Sequence, residues 1–394
     1  MTAPLNIAAI TLVSAIGCGM DATAEALREQ KSGLSPCNFD GLVLDSYIGM
    51  VPGLDHAPVP PQLKRHDCRN NRLALKALQS DDFESQVKRA IGRYGAGRIA
   101  TIIGTTSSGI QEAEHAYAQR KSEAEGLRSS FEFEYSQSHF SVTAFVRDYL
   151  GLRGPAYTVS TACSSSNKVF ADARQLISVG ACDAAVVGGV DSLCWMSLCG
   201  FNSLQLLARG PCRPNSADRD GLSIGEAAGF ALLERATDDS AAAKLLGCGE
   251  SCDAHHMSAP HPEGLGAITA MRRALAGAGL EPDAIDYVNL HGTGTPANDR
   301  AEDMAVTKVF GPAQLASSTK GWTGHTLGAA GMTEAAISVL CLQQQFVPAN
   351  LNLTQPDPEF QMQLVRRTRP ADVGTVLTNS FGFGGSNCAL VLGR

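Results

Sequence analysis

One cysteine and two histidines carry the chemistry that the spacing of this chain suggests. Cys163 follows residues 157–161, whose Tyr, Val and β-branched Thr side chains suit a pleated strand. It precedes Val169, Phe170, Ala173, Leu176 and Ile177, apolar positions at helical spacing that Gly180 closes. A cysteine where a buried strand turns into a helix start meets free backbone N–H groups and the positive end of a helix dipole. Both lower a thiol's pKa and both hold a developing oxyanion, so the position suits a nucleophile. The other reading is a small thiol packed among small residues, the ordinary state of any one of twelve cysteines. Two further stretches tilt the balance. A short strand at 286–290 runs into His291-Gly292-Thr293-Gly294-Thr295, and residues 317–331 place His325 among glycines ahead of a helix with Ala335, Ala336, Val339 and Leu340. A nucleophilic thiol with two histidines, each at the mouth of a regular element, forms a catalytic constellation.

The elements that must position these groups alternate between strand and helix. Strands are expected near 6–13, 98–103, 157–161, 184–187 and 230–234, with a turn at 238–240, after which the pattern begins again with strands at 244–250 and 286–290. Helices are expected at 21–30, capped by Asp21, at 73–78, through 111–130, and at 267–276, ended by Gly277. Two halves, 1–243 and 244–394, each delivering groups from element ends to a shared centre, read as an α/β fold with sheets sandwiched by helices. A net charge of −7 gives no bulk attraction to nucleic acid or anionic membrane. The cysteines lack CxxC or Cys/His metal spacing, and His255, His256 and His261 lack a partner at ligand spacing, so no metal is expected. The N-terminal residues show neither a signal peptide nor a transmembrane run, which makes a soluble cytoplasmic protein the default.

Several motifs in fixed order carry a resemblance. They are Gly151-Leu152-Arg153-Gly154-Pro155, Thr161-Ala162-Cys163, Cys212-Arg213-Pro214, Asp220-Gly221 with Gly225-Glu226-Ala227-Ala228-Gly229, His291-Gly292-Thr293, Lys320 with Gly324-His325-Thr326, and residues 379–387 around Gly382-Phe383-Gly384-Gly385. Over nearly its whole length the chain resembles the β-ketoacyl-[acyl carrier protein] synthases, condensing enzymes of the thiolase superfamily. The resemblance implies a five-layer αβαβα fold and a decarboxylative condensation of an acyl thioester with malonyl-[acyl carrier protein]. It implies no cofactor beyond the carrier's phosphopantetheine. Cys163 would hold the acyl group, and His291 and His325 would stabilise the enolate left when CO₂ departs. Lys320 and Glu334 match the family's lysine and its partner carboxylate, here read as orienting and charge-balancing the histidines, with a buried ion pair of purely structural role as the other reading. The backbone N–H groups of Cys163 and Phe383 match the second oxyanion hole, and Phe383 the gate beside the nucleophile.

The same resemblance assigns the periphery. The loop after the strand at 98–103 limits the acyl pocket, by position at Ser107, and the region containing Phe201 lines the acyl tunnel. Lys64, Arg65 and Arg69 form the densest basic cluster of an acidic chain; they read either as a solvated helix start or as a dock for an acidic partner, the acyl carrier protein, with Arg209 as a second contact. Asp220, Gly225 and Glu226 are read as structural. Two departures stand out: Ser164-Ser165-Ser166 after the cysteine, and His291-Gly292-Thr293-Gly294-Thr295 with Asn298-Asp299-Arg300 and Glu302 after it, point towards a type II polyketide or aryl polyene pathway. There a synthase works as a homodimer or beside a chain-length-factor-like subunit. Two alternatives remain open: a non-decarboxylating thiolase using Cys388 as a second cysteine, and a silent subunit that only shapes the tunnel.

Overall fold

The computed structural model describes residues 3–122, 126–128, 130–236 and 243–394. The first half contributes β1 (Leu5–Ser14), β2 (Ile99–Gly104), β3 (Ala156–Val159), β4 (Ala184–Asp191) and β5 (Ala227–Arg235). The second contributes β6 (Lys244–Cys252), β7 (Tyr287–Asn289), β8 (Leu315–Ser317), β9 (Thr375–Phe381) and β10 (Ser386–Gly393). The strand order is β3-β2-β4-β5-β1 in one and β8-β7-β9-β10-β6 in the other, which is the same order in each set. Directions repeat as well: β2 is parallel to β3 and β4, and β7 to β8 and β9, while the remaining pairs are antiparallel. The sets meet where β1 pairs antiparallel with β6 through Leu5↔Leu245 and Asn6↔Lys244.

The helices that bear on the site are α1 (Arg69–Leu78), α2 (Ser165–Ser178), α3 (Trp195–Ser203), α4 (Leu265–Ala278), α5 (Pro296–Phe310) and α6 (Ala330–Gln344). Alternation along each strand sends neighbours to opposite faces, so the strands feed two cores at once. Ile102 and Val187 join Val169 and Phe170 of α2 and Met332 and Leu340 of α6 in a central core; Ile103 and Val186 join Leu73 and Phe145 in an outer one. A second outer core sets Met271 and Leu275 of α4 and Val306 of α5 against Val288, Leu377 and Ala389. The result is five layers, helix–sheet–helix–sheet–helix. α6 is buried on every side from Ala330 to Leu342, as its mostly apolar composition requires of a central-layer helix, with Thr333, Glu334 and Ser338 as its buried polar groups. Its start abuts α2: a Cβ on Gly331 would lie 2.5 Å from the Asn167 side chain, and the Met332 N–H donates to Ser166 Oγ at 2.9 Å.

Some local expectations change. Asp21 lies inside the first turn of its helix, and the cap is Asp81, whose carboxylate accepts the Met20 N–H at 2.9 Å. The helix expected through 130 stops at Ala118, because Gln119-Arg120-Lys121-Ser122 follow with no apolar side chain to hold another turn against the core. Gly277 lies within α4, which runs on to Ala278; the stop is Gly279, at φ 69°. β4 continues through Gly188-Gly189 to Asp191, since the missing side chains admit the Phe230 ring and Ser166 against the strand. The turn expected at 238–240 lies outside the described residues.

Candidate active site

In open sheets the carboxyl ends of parallel strands are where functional loops gather. Here the repeated strand order brings three loops from each half to one place. β3 leads to Cys163 and α2, and its counterpart β8 leads to Lys320, His325 and α6. β2 leads to the loop containing Ser107, and β7 to the loop containing His291; β4 ends at Asp191 and β9 at the Gly382–Gly385 turn.

Cys163 Sγ lies 3.0 Å from His325 Nε2. The His291 ring stands 5.3 Å from that of His325, centroid to centroid, at 87°. Lys320 Nζ donates to His291 Nδ1 at 3.4 Å and also bonds the His291 carbonyl and the Glu334 carboxylate. With Nδ1 accepting, His291 carries its proton on Nε2. Ser380 Oγ donates to the other Glu334 oxygen at 3.5 Å. Glu302 accepts the backbone N–H groups of His291 and Gly292 at 2.8 and 2.7 Å, which holds the first histidine's turn from behind. The Phe383 N–H is directed at the thiol, and a Cβ on Gly382 would lie 2.8 Å from the Thr161 carbonyl oxygen, so the close approach of this turn to the cysteine elbow needs glycine.

Burial dominates the electrostatics. It pushes the Cys163 thiol up to about 11, against the opposing pull of the Lys320 charge and the Phe383 N–H. The lowering expected from the helix start is therefore outweighed, and the resting group is a thiol that needs a proton acceptor. Burial, reinforced by Lys320, holds His291 and His325 well below the usual imidazole value, and both are neutral at pH 7. Burial also lifts Glu334, to about 7, with the Lys320 ammonium pulling the other way. Cys163, His291 and His325 offer ligand atoms within 4.8 Å of one another, but a lysine ammonium beside them disfavours a second cation.

The serine triplet that departs from the fatty-acid pattern braces the elbow. Ser165 Oγ accepts the Thr161 N–H at 2.9 Å and donates to the Ala162 carbonyl at 2.6 Å, across a residue held at φ 52°. Ser164 Oγ donates to the Thr161 carbonyl at 2.9 Å and reaches Ser386 Oγ at 3.3 Å. Together with Ser166, which accepts the Met332 N–H of α6, these hydroxyls tie the Cys163 turn to both histidine-bearing and glycine-rich segments.

Comparison with known proteins agrees with this geometry. Residues 73–239 match the family Beta-ketoacyl synthase, N-terminal domain, and residues 242–354 match Beta-ketoacyl synthase, C-terminal domain. The chain belongs to the beta-ketoacyl synthases. Nodulation protein E of Rhizobium meliloti (strain 1021) is 33% identical over 393 residues, 95% of each chain. The 3-oxoacyl-[acyl-carrier-protein] synthase 2 of Vibrio cholerae serotype O1 is 31% identical over 411 residues, 97% of each. A chain from the complex of a ketosynthase with its chain length factor from Xenorhabdus doucetiae is 39% identical, with a TM-score of 0.89 over 99% of this chain and 98% of that one. The fold is thus that of the thiolase-like ketosynthases, and the chain is a condensing acyltransferase.

Two cavities of this synthase meet at Cys163, Phe201 and Phe383, where the two rings stack 5.6 Å apart. One, of about 230 Å³, passes His291, His325, Thr293 and Thr295. The other, of about 490 Å³ and likewise mostly apolar, is lined by Ser107, Thr106, Leu327, Met196 and Leu204, and Met196 and Leu204 are 55% and 54% exposed on its open side. Ser107 is on the wall, as position suggests, though its hydroxyl is engaged by Asp191 at 2.8 Å. Asp191, not singled out in the sequence, and Glu302, noted there only within the pattern after His291, are buried carboxylates beside the site. Glu302 follows His291 by eleven residues and Asp191 ends a strand, but only their backbone-bound partners disclose what they do.

Of the basic residues, Lys64, Arg65 and Arg209 are exposed, Arg65 pairing with Glu132 at 2.8 Å and resting on the Tyr135 ring. Arg69 corrects the expectation of docking. α1 begins at Arg69 and turns it inward, 4% exposed, where Glu226 and Asp55 neutralise its guanidinium, so it cannot meet a partner protein. Cys388 does not serve as a second catalytic thiol: it is buried within β10, pushed well above the usual thiol value, and lines neither cavity.

Proposed function

We propose that Cys163 is the nucleophile of a decarboxylative condensation in which acyl and malonyl groups both arrive on the pantetheine arm of an acyl carrier protein. The observation that carries the assignment is the 3.0 Å approach of Cys163 Sγ to a neutral His325, beside a second neutral histidine, at the junction of two cavities. His325 Nε2 takes the thiol proton as sulfur attacks the acyl thioester, and passes it to the departing pantetheine sulfur. The N–H groups of Cys163 and Phe383 face the oxygen that becomes negative. The malonyl carboxylate then leaves as CO₂, and the electron pair of the broken bond becomes an enolate whose oxygen accepts from the His291 Nε2–H and from His325, whose Nε2 takes up a solvent proton after the first one has left with pantetheine. The enolate carbon attacks the acyl carbonyl, and collapse expels the Cys163 thiolate, which takes the solvent-derived proton from His325 Nε2. Lys320 and Glu334 orient His291 and keep its reactive nitrogen protonated.

The acyl chain occupies the larger cavity, whose open side at Met196 and Leu204 is closed by a second subunit. The similarity to a ketosynthase solved with its chain length factor supports a heterodimer, and the serine triplet supports a specialised polyketide or aryl polyene pathway. Twelve unpaired cysteines favour the reducing cytoplasm, and among the described residues no helix is long and apolar enough to cross a membrane. Mass spectrometry of Cys163 after exposure to a series of acyl-carrier proteins, with and without a co-expressed partner subunit, tests the reading. A thioester on Cys163 that malonyl-carrier protein discharges supports it; acylation elsewhere sinks it.

A further inference from the structure

The Asp191 carboxylate, fully buried at the end of β4, gathers six donor groups and no cation among the described residues. Oδ1 accepts from Thr105 Oγ1 at 2.7 Å, the N–H groups of Thr106 and Ser107 at 2.9 Å each, and Ser107 Oγ at 2.8 Å. Oδ2 accepts from Thr106 Oγ1 and the Gly328 N–H, both at 2.6 Å, and shares the Thr106 N–H. Five of the six donors belong to the loop that walls the acyl cavity. The sixth, Gly328, lies three residues after His325 and directly after Leu327, which lines the same cavity and is held at φ 53°. The approach is tight: a Cβ on Gly328 would lie 2.6 Å from Asp191 Oδ2 and 3.0 Å from Thr106 N. An ionised carboxylate presents acceptors only, and it is the one side-chain group that can satisfy so many converging donors.

We propose that Asp191 is a positioning residue that locks the acyl-cavity wall to the His325 segment, so that one carboxylate sets both the acyl length accepted and the placement of His325 for decarboxylation. The inference rests on the condensing reaction, not on which pathway the synthase serves. Neutralising the lock frees Gly328 and the wall together, because an amide in place of the carboxylate turns two hydrogens towards donors that already point inward.

The test uses Asp191→Asn and Thr105→Val, the second an isosteric change at a buried residue that lines neither cavity. Iodoacetamide titration of Cys163 counts intact sites, and all rates are expressed per site. Both variants should decarboxylate malonyl-carrier protein more slowly, Asp191→Asn on the order of tenfold or more, as an ångström-scale displacement of a catalytic group produces. Both should also shift the longest acyl chain that Cys163 accepts. Wild-type decarboxylation per site, or a slowed rate with an unchanged length limit, would overturn the coupling. Should Asp191→Asn fail to fold, Thr105→Val decides on the same two readouts. Failure of the wild-type protein to decarboxylate malonyl-carrier protein in this assay would count against the condensing role, not against the lock.

Discussion

Replacing Lys320 with methionine separates the electrostatic role of this lysine from a merely structural one. Its ammonium is buried with Glu334, both 2% exposed, and sits 3.4 Å from His291 Nδ1. Removing one partner of such a pair strands the other, at a cost of about 3–5 kcal/mol. For 394 residues, with an unfolding entropy of about 2.1 cal/mol/K per residue, this lowers Tm by roughly 4–6 °C. Pairing Lys320→Met with Glu334→Gln should return most of that loss. The catalytic consequence has a definite sign. Lys320 is one of the causes that hold His325 below the usual imidazole value, the larger being burial, so its loss raises the His325 pKa part of the way back. Acylation of Cys163 requires an unprotonated Nε2. The wild-type acylation rate should therefore stay level as pH falls through 6.5, while the variant's acid limb moves to higher pH. Single-turnover acylation followed by rapid quench and mass spectrometry between pH 5 and 8 reads both profiles. Superimposable acid limbs, or a wild-type limb already centred near pH 6.5, would refute the electrostatic argument.

Cys163→Ala should abolish condensation yet retain release of CO₂ from malonyl-carrier protein, because the enolate is held by His291 and His325; labelled CO₂ measures it, and condensation at the wild-type rate would exclude Cys163 as nucleophile. Charge reversal at Lys64, Arg65 or Arg209 should raise the apparent KM for carrier-bound substrate, the difference narrowing as added salt screens the surface, without slowing a small thioester analogue. Arg69→Glu should instead destabilise the fold, by about 3–5 kcal/mol for the pair broken with Glu226, as thermal unfolding would show. Ser107→Phe should shorten the longest acyl group loaded on Cys163, since a ring added to this wall intrudes on the cavity; an unchanged cut-off in folded protein would place the limit elsewhere.

What sequence makes visible here depends on whether a residue's role is local. Cys163, His291 and His325 announce themselves because each sits between a strand-like and a helix-like run, the cysteine among small residues and the histidines among glycines. Arg69 misleads for the complementary reason. A basic run looks exposed until a helix periodicity is known to one residue, and α1 starts at Arg69 itself, which points the guanidinium at Glu226, 157 positions away. Asp81 capping Met20 and Asp191 binding Gly328 are likewise long-range partnerships that leave no trace in spacing.

The repeated strand order explains why a site of this kind can be assembled from such distant segments. Because β3 and β8 occupy equivalent places in the two halves, Cys163 and His325 each precede a central-layer helix, α2 or α6, and those helices begin against one another at Asn167, Ser166, Gly331 and Met332. The 3.0 Å contact between thiol and imidazole, 162 residues apart in sequence, is therefore set by packing at the helix starts and not by either loop alone. In the proposed mechanism the two halves are chemically unlike at equivalent positions: the turn that in one half carries the nucleophile, Cys163, carries in the other the group that takes its proton, His325. The two second-strand loops have diverged in parallel, one carrying His291 against a buried glutamate, Glu302, and the other carrying Ser107 against a buried aspartate, Asp191. Each catalytic or wall-forming loop is thus pinned from behind by a carboxylate that accepts backbone N–H groups, which is how glycine- and serine-rich segments with little side chain to pack are held in place without a core of their own.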